Sequence, residues 1–149
     1  MITALSHTTI WVLDQDEALD FYTRQLGFEV KTDATMDDFR WLTVHPPGQP
    51  DHQLALLFPG PPMMDEQAAE QVRALVAKGA LGPGAFETKD CQGTYDELTG
   101  RGVTFLSEPT ERFYGIDCGV RDPFGNNIRV TQLAPGPLVP PDPSELPPR

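Results

Sequence analysis

IWVLDQDEALDFYTRQLGFEV, residues 10–30, is echoed by FETKDCQGTYDELTGRGVTFL, residues 86–106, once one residue is dropped before the second glycine. In this alignment Asp14 meets Asp90, Asp20 meets Asp96, Thr23 meets Thr99 and Gly27 meets Gly102. Each copy reads as an extended segment, an acidic residue, a helical stretch, a glycine stop and a new strand. Repetition at this length marks a duplicated supersecondary unit.

The local chemistry supports the reading. Asp14 and Asp90 are expected N-caps, because a short carboxylate can accept an orphan amide at a helix start. In the first copy Ala18, Leu19, Phe21, Tyr22 and Leu26 give an apolar helix face, and Tyr95 and Leu98 give a thinner one in the second. Gly27 and Gly102 stand where a helix ends in a left-handed residue.

Three strands are expected after each glycine. They are FEVKT (28–32), FRWLTV (39–44) and QLALLF (53–58) in the first half, and VTFLSE (103–108), YGIDCGVR (114–121) and NIRVTQ (127–132) in the second. Between the halves a surface helix is predicted from about Asp65 to Lys78, with Ala68, Val72, Leu75 and Val76 inward and Gly79 as its stop. Asp122-Pro123-Phe124-Gly125-Asn126 suits a tight hairpin turn, with the Asp side chain bonding back onto the backbone. In the strand after it, alternation sets Arg129 on the face opposite Ile128 and Val130.

Composition bounds the rest. The chain has 149 residues, 39% of them hydrophobic, enough for one compact domain or two small halves sharing a core. A net charge of -11 argues against nucleic acid, which needs a basic face. No apolar run is long enough to span a bilayer, and the first residues lack a secretion-signal pattern. Cys91 and Cys118 are too few and too isolated for a disulfide framework, so a reducing cytoplasm is the expected location. Residues 135–149, PGPLVPPDPSELPPR, hold seven of the sixteen prolines and read as a polyproline-like tail.

Together, the doubled pattern, YDELTGRGVTFLSEP and RDPFGNNIRV resemble the vicinal oxygen chelate superfamily. That group includes glyoxalase I, extradiol dioxygenases, fosfomycin-modifying thiol transferases and bleomycin-binding resistance proteins. The resemblance spans about residues 4–133 and implies an α+β fold, two βαβββ repeats forming curved mixed sheets around a cavity. The expected organisation is one domain over residues 1–134: repeat one 1–58, a bridging helical segment 59–80 and repeat two 81–134. A homodimer is expected, since many single-domain relatives form one. Activity does not follow from such a fold, which carries several chemistries.

The resemblance also implies where a divalent metal would bind, through the first and last strands of each half. His7 stands at the first position. Ala55 stands at the second, Pro83 at the third and Arg129 at the fourth, where many members have glutamate, histidine and glutamate. Alanine and proline offer no side-chain donor, and a guanidinium has no lone pair and repels a cation. No cofactor is therefore expected. A divalent ion (Zn, Fe, Mn or Ni) is the alternative if Gln53, His45, His52, Asp117 or Cys118 converge instead.

Each candidate carries a structural alternative. A buried Arg129 needs a partner, either a protein carboxylate such as Asp117 or Glu87, or an anionic ligand held in a bidentate grip. His7 is either a catalytic base or ligand contact, or a relic bonded at the cavity floor. Phe39 and Trp41, on one face of their strand with Arg40 on the other, are either core packing or an aromatic wall for a planar ligand. Gln53 shares the Ala55 face, Asp117 is on the seventh strand, and Tyr114 is placed to line the mouth. The function expected is small-molecule binding of the bleomycin-resistance type, with a metal-dependent or metal-free isomerase, lyase or dioxygenase, or a regulatory module with a vestigial cavity, as alternatives. The acidic balance suits a cationic guest and Arg129 an anionic one, so ligand charge stays open.

Overall fold

Asp14, Asp65 and Asp90 each precede a helix and accept an amide from three residues on, at 2.8, 2.8 and 2.9 Å. These caps fix the starts of α1 (Gln15–Asp20), α2 (Glu66–Ala77) and α3 (Cys91–Gly100) in the computed structural model, which describes residues 1–145. Residues 146–149 of the proline-rich tail lie outside the described residues. Gly27, Gly79 and Gly102 adopt positive φ of 80°, 72° and 84° where the chain leaves its helices.

The helix of the first half differs from the sequence expectation. It is not one α-helix: α1 gives way to a π-helical turn, Phe21–Gln25. The Leu26 amide donates to the carbonyl of Phe21, five residues back, at 3.0 Å, and the Thr23 hydroxyl takes the Leu19 carbonyl. The wider turn reduces the angle between adjacent side chains, and both Phe21 and Tyr22 reach the core.

Eight strands form two mixed sheets of four that do not close into a barrel. The first holds β1 (His7–Trp11), β2 (Glu29–Met36), β3 (Phe39–His45) and β4 (Gln53–Leu57), in the order β1-β4-β3-β2. The second holds β5 (Gly84–Glu87), β6 (Thr104–Arg112), β7 (Gly115–Arg121) and β8 (Asn127–Leu133), in the order β5-β8-β7-β6. In both, the first strand runs parallel to the last, and the remaining pairs are antiparallel. The two halves thus share one topology, as the internal repeat predicts.

One face of each sheet carries a helix. Ile10, Leu42, Val44, Leu54 and Leu56 pack with Ala18, Phe21 and Tyr22, while Cys118, Val120, Ile128 and Val130 pack with Cys91 and Leu98. Gln15 pins α1 to the first sheet by donating to the carbonyls of Arg40 and Leu56 at 3.0 and 2.8 Å. The two cysteines are not isolated: both are buried and their sulfurs lie 3.8 Å apart, unbonded, because the α3 start sits directly over β7. Burial, with Cys91 alongside, pushes the Cys118 thiol up to about 12.

The halves are joined through the turn that the sequence singled out. One Asp122 oxygen accepts the amides of Phe124, Gly125 and Asn126, and the other accepts Tyr22 Oη at 3.0 Å and Asn126 Nδ2 at 2.7 Å. Asn126 also donates to the Trp11 carbonyl at 2.9 Å. A turn of the second half is thereby bonded to the first helix and first strand of the chain. Among the described residues no helix is long and apolar enough to cross a membrane.

Candidate functional site

The strand register defines what each uncovered sheet face presents. On the first, His7 pairs with Gln53, Thr9 with Ala55, and Ala55 with Thr43, so these residues share one face with Trp41 and Phe39. The His7 ring meets Trp41 edge to face, with centroids 5.3 Å apart, and Phe39 lies 6.4 Å from Trp41. His7 is exposed, and Trp41 and Phe39 are half-buried. Gln53 is tied down by the buried Thr43 hydroxyl, which donates to Oε1 at 2.8 Å. This face is an aromatic patch with an imidazole at its border.

On the second sheet, Arg129 pairs with Ala85 on one side and Gly119 on the other, and Asp117 lies one diagonal step away, opposite Thr131. The Asp117 side chain is 2% exposed. Its Oδ2 accepts Arg129 Nε at 2.9 Å, a terminal nitrogen of the same guanidinium, and the Tyr114 hydroxyl at 2.8 Å. Arg112 Nε stands 3.5 Å from Oδ1, an ion-pair distance that leaves this buried oxygen without a hydrogen bond. Burial alone would raise the Asp117 carboxyl; the bonds from Arg129 and Tyr114 and the Arg129 charge outweigh it and hold the group below its ordinary value. The same bond to Asp117 raises Arg129, and burial, then the bond to Asp117, raises the Tyr114 phenol.

The cluster of one carboxylate and two guanidiniums carries one net positive charge on an open face. Arg129 and Arg112 keep 41% and 48% of their side chains exposed, so each still offers donors outward. Gly119 makes room for this arrangement: a Cβ there would stand 3.2 Å from an Arg129 nitrogen and 3.2 Å from Ser107 Oγ. The structure thus places Arg129 against Asp117 and leaves Glu87, the other carboxylate considered, exposed.

The residues singled out in the sequence therefore form two groups on two sheets: His7, Phe39, Trp41 and Gln53 on the first, and Tyr114, Asp117 and Arg129 on the second. Among the described residues no hydrogen bond or ring contact joins one group to the other. What sequence reasoning missed is Arg112, whose place beside Asp117 follows from the β6–β7 hairpin register. The signal was available, since Arg112 and Gly115 flank the tight Phe113-Tyr114 turn and Asp117, two residues on, shares the Arg112 face of that hairpin.

The same register tests the metal positions. Ala55 and Arg129 occupy equivalent places, paired with Thr9 and Ala85, and two residues before these stand His7 and Pro83. The four positions contain one ligating side chain. Asp117, the carboxylate nearest the fourth, is engaged by guanidiniums. Among the described residues no three His, Cys, Asp or Glu side chains gather as a metal centre would require. This donor set does not fit a divalent ion.

Paired βαβββ modules, each a four-stranded mixed sheet with a helix on one face, define a class of α+β scaffold. The chain belongs to the Glyoxalase/Bleomycin resistance protein/Dioxygenase superfamily, whose family model matches residues 4–130. It is 37% identical over 125 residues to the uncharacterized protein YurT of Bacillus subtilis (strain 168), covering 84% of this chain and 95% of that one. Among solved structures it is similar to UcmS2, with 44% identity and a TM-score of 0.82 over 88% of this chain and 98% of the other. It is also similar to TnmS3, described as an antibiotic binding protein from Streptomyces sp. CB03234, with 28% identity and a TM-score of 0.71 over 89% and 98% of the two chains.

Proposed function

We propose that this chain is a small-molecule-binding protein that works without a divalent metal, its ligand lying between an aromatic face and a guanidinium face. The observation that carries this reading is the fixed cation at the fourth metal position. Arg129 is held by Asp117 where a relative's acidic ligand would bind an ion, and its outward edge is preset to grip an oxygen of the guest. Trp41 and Phe39 supply a flat apolar surface, and Gln53, Tyr114 and His7 supply hydrogen-bonding groups around it. His7 acts as a ligand contact in this reading. The description of TnmS3 as an antibiotic binding protein supports the same direction.

The two faces lie on separate sheets, and each leaves large apolar side chains exposed: Met36 on the first and Leu133 on the second, at 58% and 52%. A homodimer that sets the first sheet of one copy against the second sheet of its partner would cover both and create two equivalent cavities. A cytoplasmic location is consistent with the two unbonded cysteines.

The test is equilibrium binding followed by Trp fluorescence, with and without EDTA, alongside elemental analysis of protein purified without a His-tag. The expected outcome is substoichiometric divalent metal and ligand affinity indifferent to EDTA. One tightly held ion per chain with EDTA-sensitive binding would overturn the proposal and restore a metal-dependent enzyme.

A further inference from the structure

A second concavity lies on the other side of the second sheet. It is a cleft of about 740 Å³ between the halves, walled by Phe28 at the end of the first helical segment, the Pro46–Gln49 loop and Phe86 on β5. Its floor includes Val120, Ile128 and Val130, which alternate with Arg129 and Gly119 and so face away from the guanidinium cluster. The volume falls within the roughly 300–1,000 Å³ of small-molecule pockets. Phe28 and Phe86 are half-buried with ring centroids 5.2 Å apart, giving an apolar floor with aromatic edges. Prolines at 46 and 47 restrict the wall opposite.

The mouth is polar. Lys89 borders it, is exposed, and among the described residues forms no ion pair. Glu87 borders it too, on a strand position facing the Arg129 side. The Lys89 ammonium at the rim of an apolar cleft can pair with one negative group at the end of a guest, a local attraction that acts against the chain's net charge of -11.

We propose that this cleft is a second small-molecule site, taking a flat apolar ligand with a single anionic group, its body against Phe28 and Phe86 and its anion at Lys89. The site is independent of the sheet-face site and goes beyond the function proposed above.

The probes are 1-anilinonaphthalene-8-sulfonate, flat and anionic, and its neutral counterpart N-phenyl-1-naphthylamine, each titrated by fluorescence into folded protein at neutral pH. Gly48 offers a blocking position, since a Cβ there meets nothing within 4 Å. Gly48→Trp should weaken both probes tenfold or more with an unchanged circular dichroism spectrum. Lys89→Ala should weaken the anionic probe roughly fivefold and leave the neutral one alone, and Glu87→Gln should tighten the anionic probe by a similar factor. Trp41→Ala should affect neither. Binding that survives Gly48→Trp, or that Trp41→Ala abolishes, would overturn the proposal. A change in sedimentation coefficient caused by Gly48→Trp would also overturn it, by making the cleft an interface between copies.

Discussion

Replacing Arg129 with methionine tests the central ion pair. The substitution keeps the stem and removes the guanidinium from Asp117, whose side chain is only 2% exposed. Breaking a fully buried pair in this one-sided way costs about 3–5 kcal/mol. Three features lower that figure here: Arg129 is 41% exposed, Tyr114 still donates to Oδ2, and Arg112 stands 3.5 Å from Oδ1. We expect a loss of about 2 kcal/mol, or a melting temperature lower by roughly 4–8 °C. The pH dependence sharpens the test. In the wild type the folded-state value of Asp117 lies below its unfolded one. Its contribution is therefore complete at neutral pH and is lost as pH falls through the folded value. Without Arg129, burial is no longer outweighed and the folded value is expected to rise above the unfolded one, so protonation then favours the folded state. The gap between variant and wild type should therefore narrow from pH 7 towards about pH 4. Urea denaturation of both proteins across that range reads the difference directly, and Asp117→Asn with Arg129→Met should recover part of the loss. A deficit under about 0.5 kcal/mol, or one constant with pH, would show that the pair is not what fixes Arg129.

Other expectations follow from single contacts. Tyr22→Phe removes the buried donor to Asp122 and should cost about 1–1.5 kcal/mol by chemical denaturation, since the carboxylate keeps its backbone donors. Gly119→Ala places a Cβ 3.2 Å from the Arg129 guanidinium; a loss of about 1 kcal/mol and weaker ligand binding are expected, and unchanged affinity would show that the guanidinium position is not critical. Cys118, buried and with its thiol pushed up to about 12, should resist Ellman's reagent at pH 8 until the protein unfolds; rapid labelling of the native state would contradict the packing of α3 on β7.

The sequence disclosed whatever is decided within a few residues. Caps at Asp14, Asp65 and Asp90, stops at the three helix-ending glycines and the Asp122 turn are short-range chemistry, and a duplicated pattern makes each half a check on the other. The partner of Arg129 could not be read in the same way. Asp117 and Glu87 lie on strands flanking β8, each opposite Thr131 and so diagonal to Arg129. Burial separates them: Asp117 is on an interior strand and needs compensation, whereas Glu87 is on an edge strand and is satisfied by water. The Tyr22–Asp122 bond spans 100 residues, and the approach of Cys91 to Cys118 depends on how α3 crosses its sheet; neither leaves a local signature. The π-helical turn was hidden because its apolar spacing imitates an ordinary helix face.

Twin strand orders have a consequence for how this scaffold diversifies. Trp41 and Asp117 occupy matching places in the two modules, as do Ala55 and Arg129, yet one module became greasy and the other charged. A doubled gene offers every position twice, so a change that would ruin a lone module can be absorbed while its sibling preserves the shape. Recognition of new guests can then be explored one half at a time.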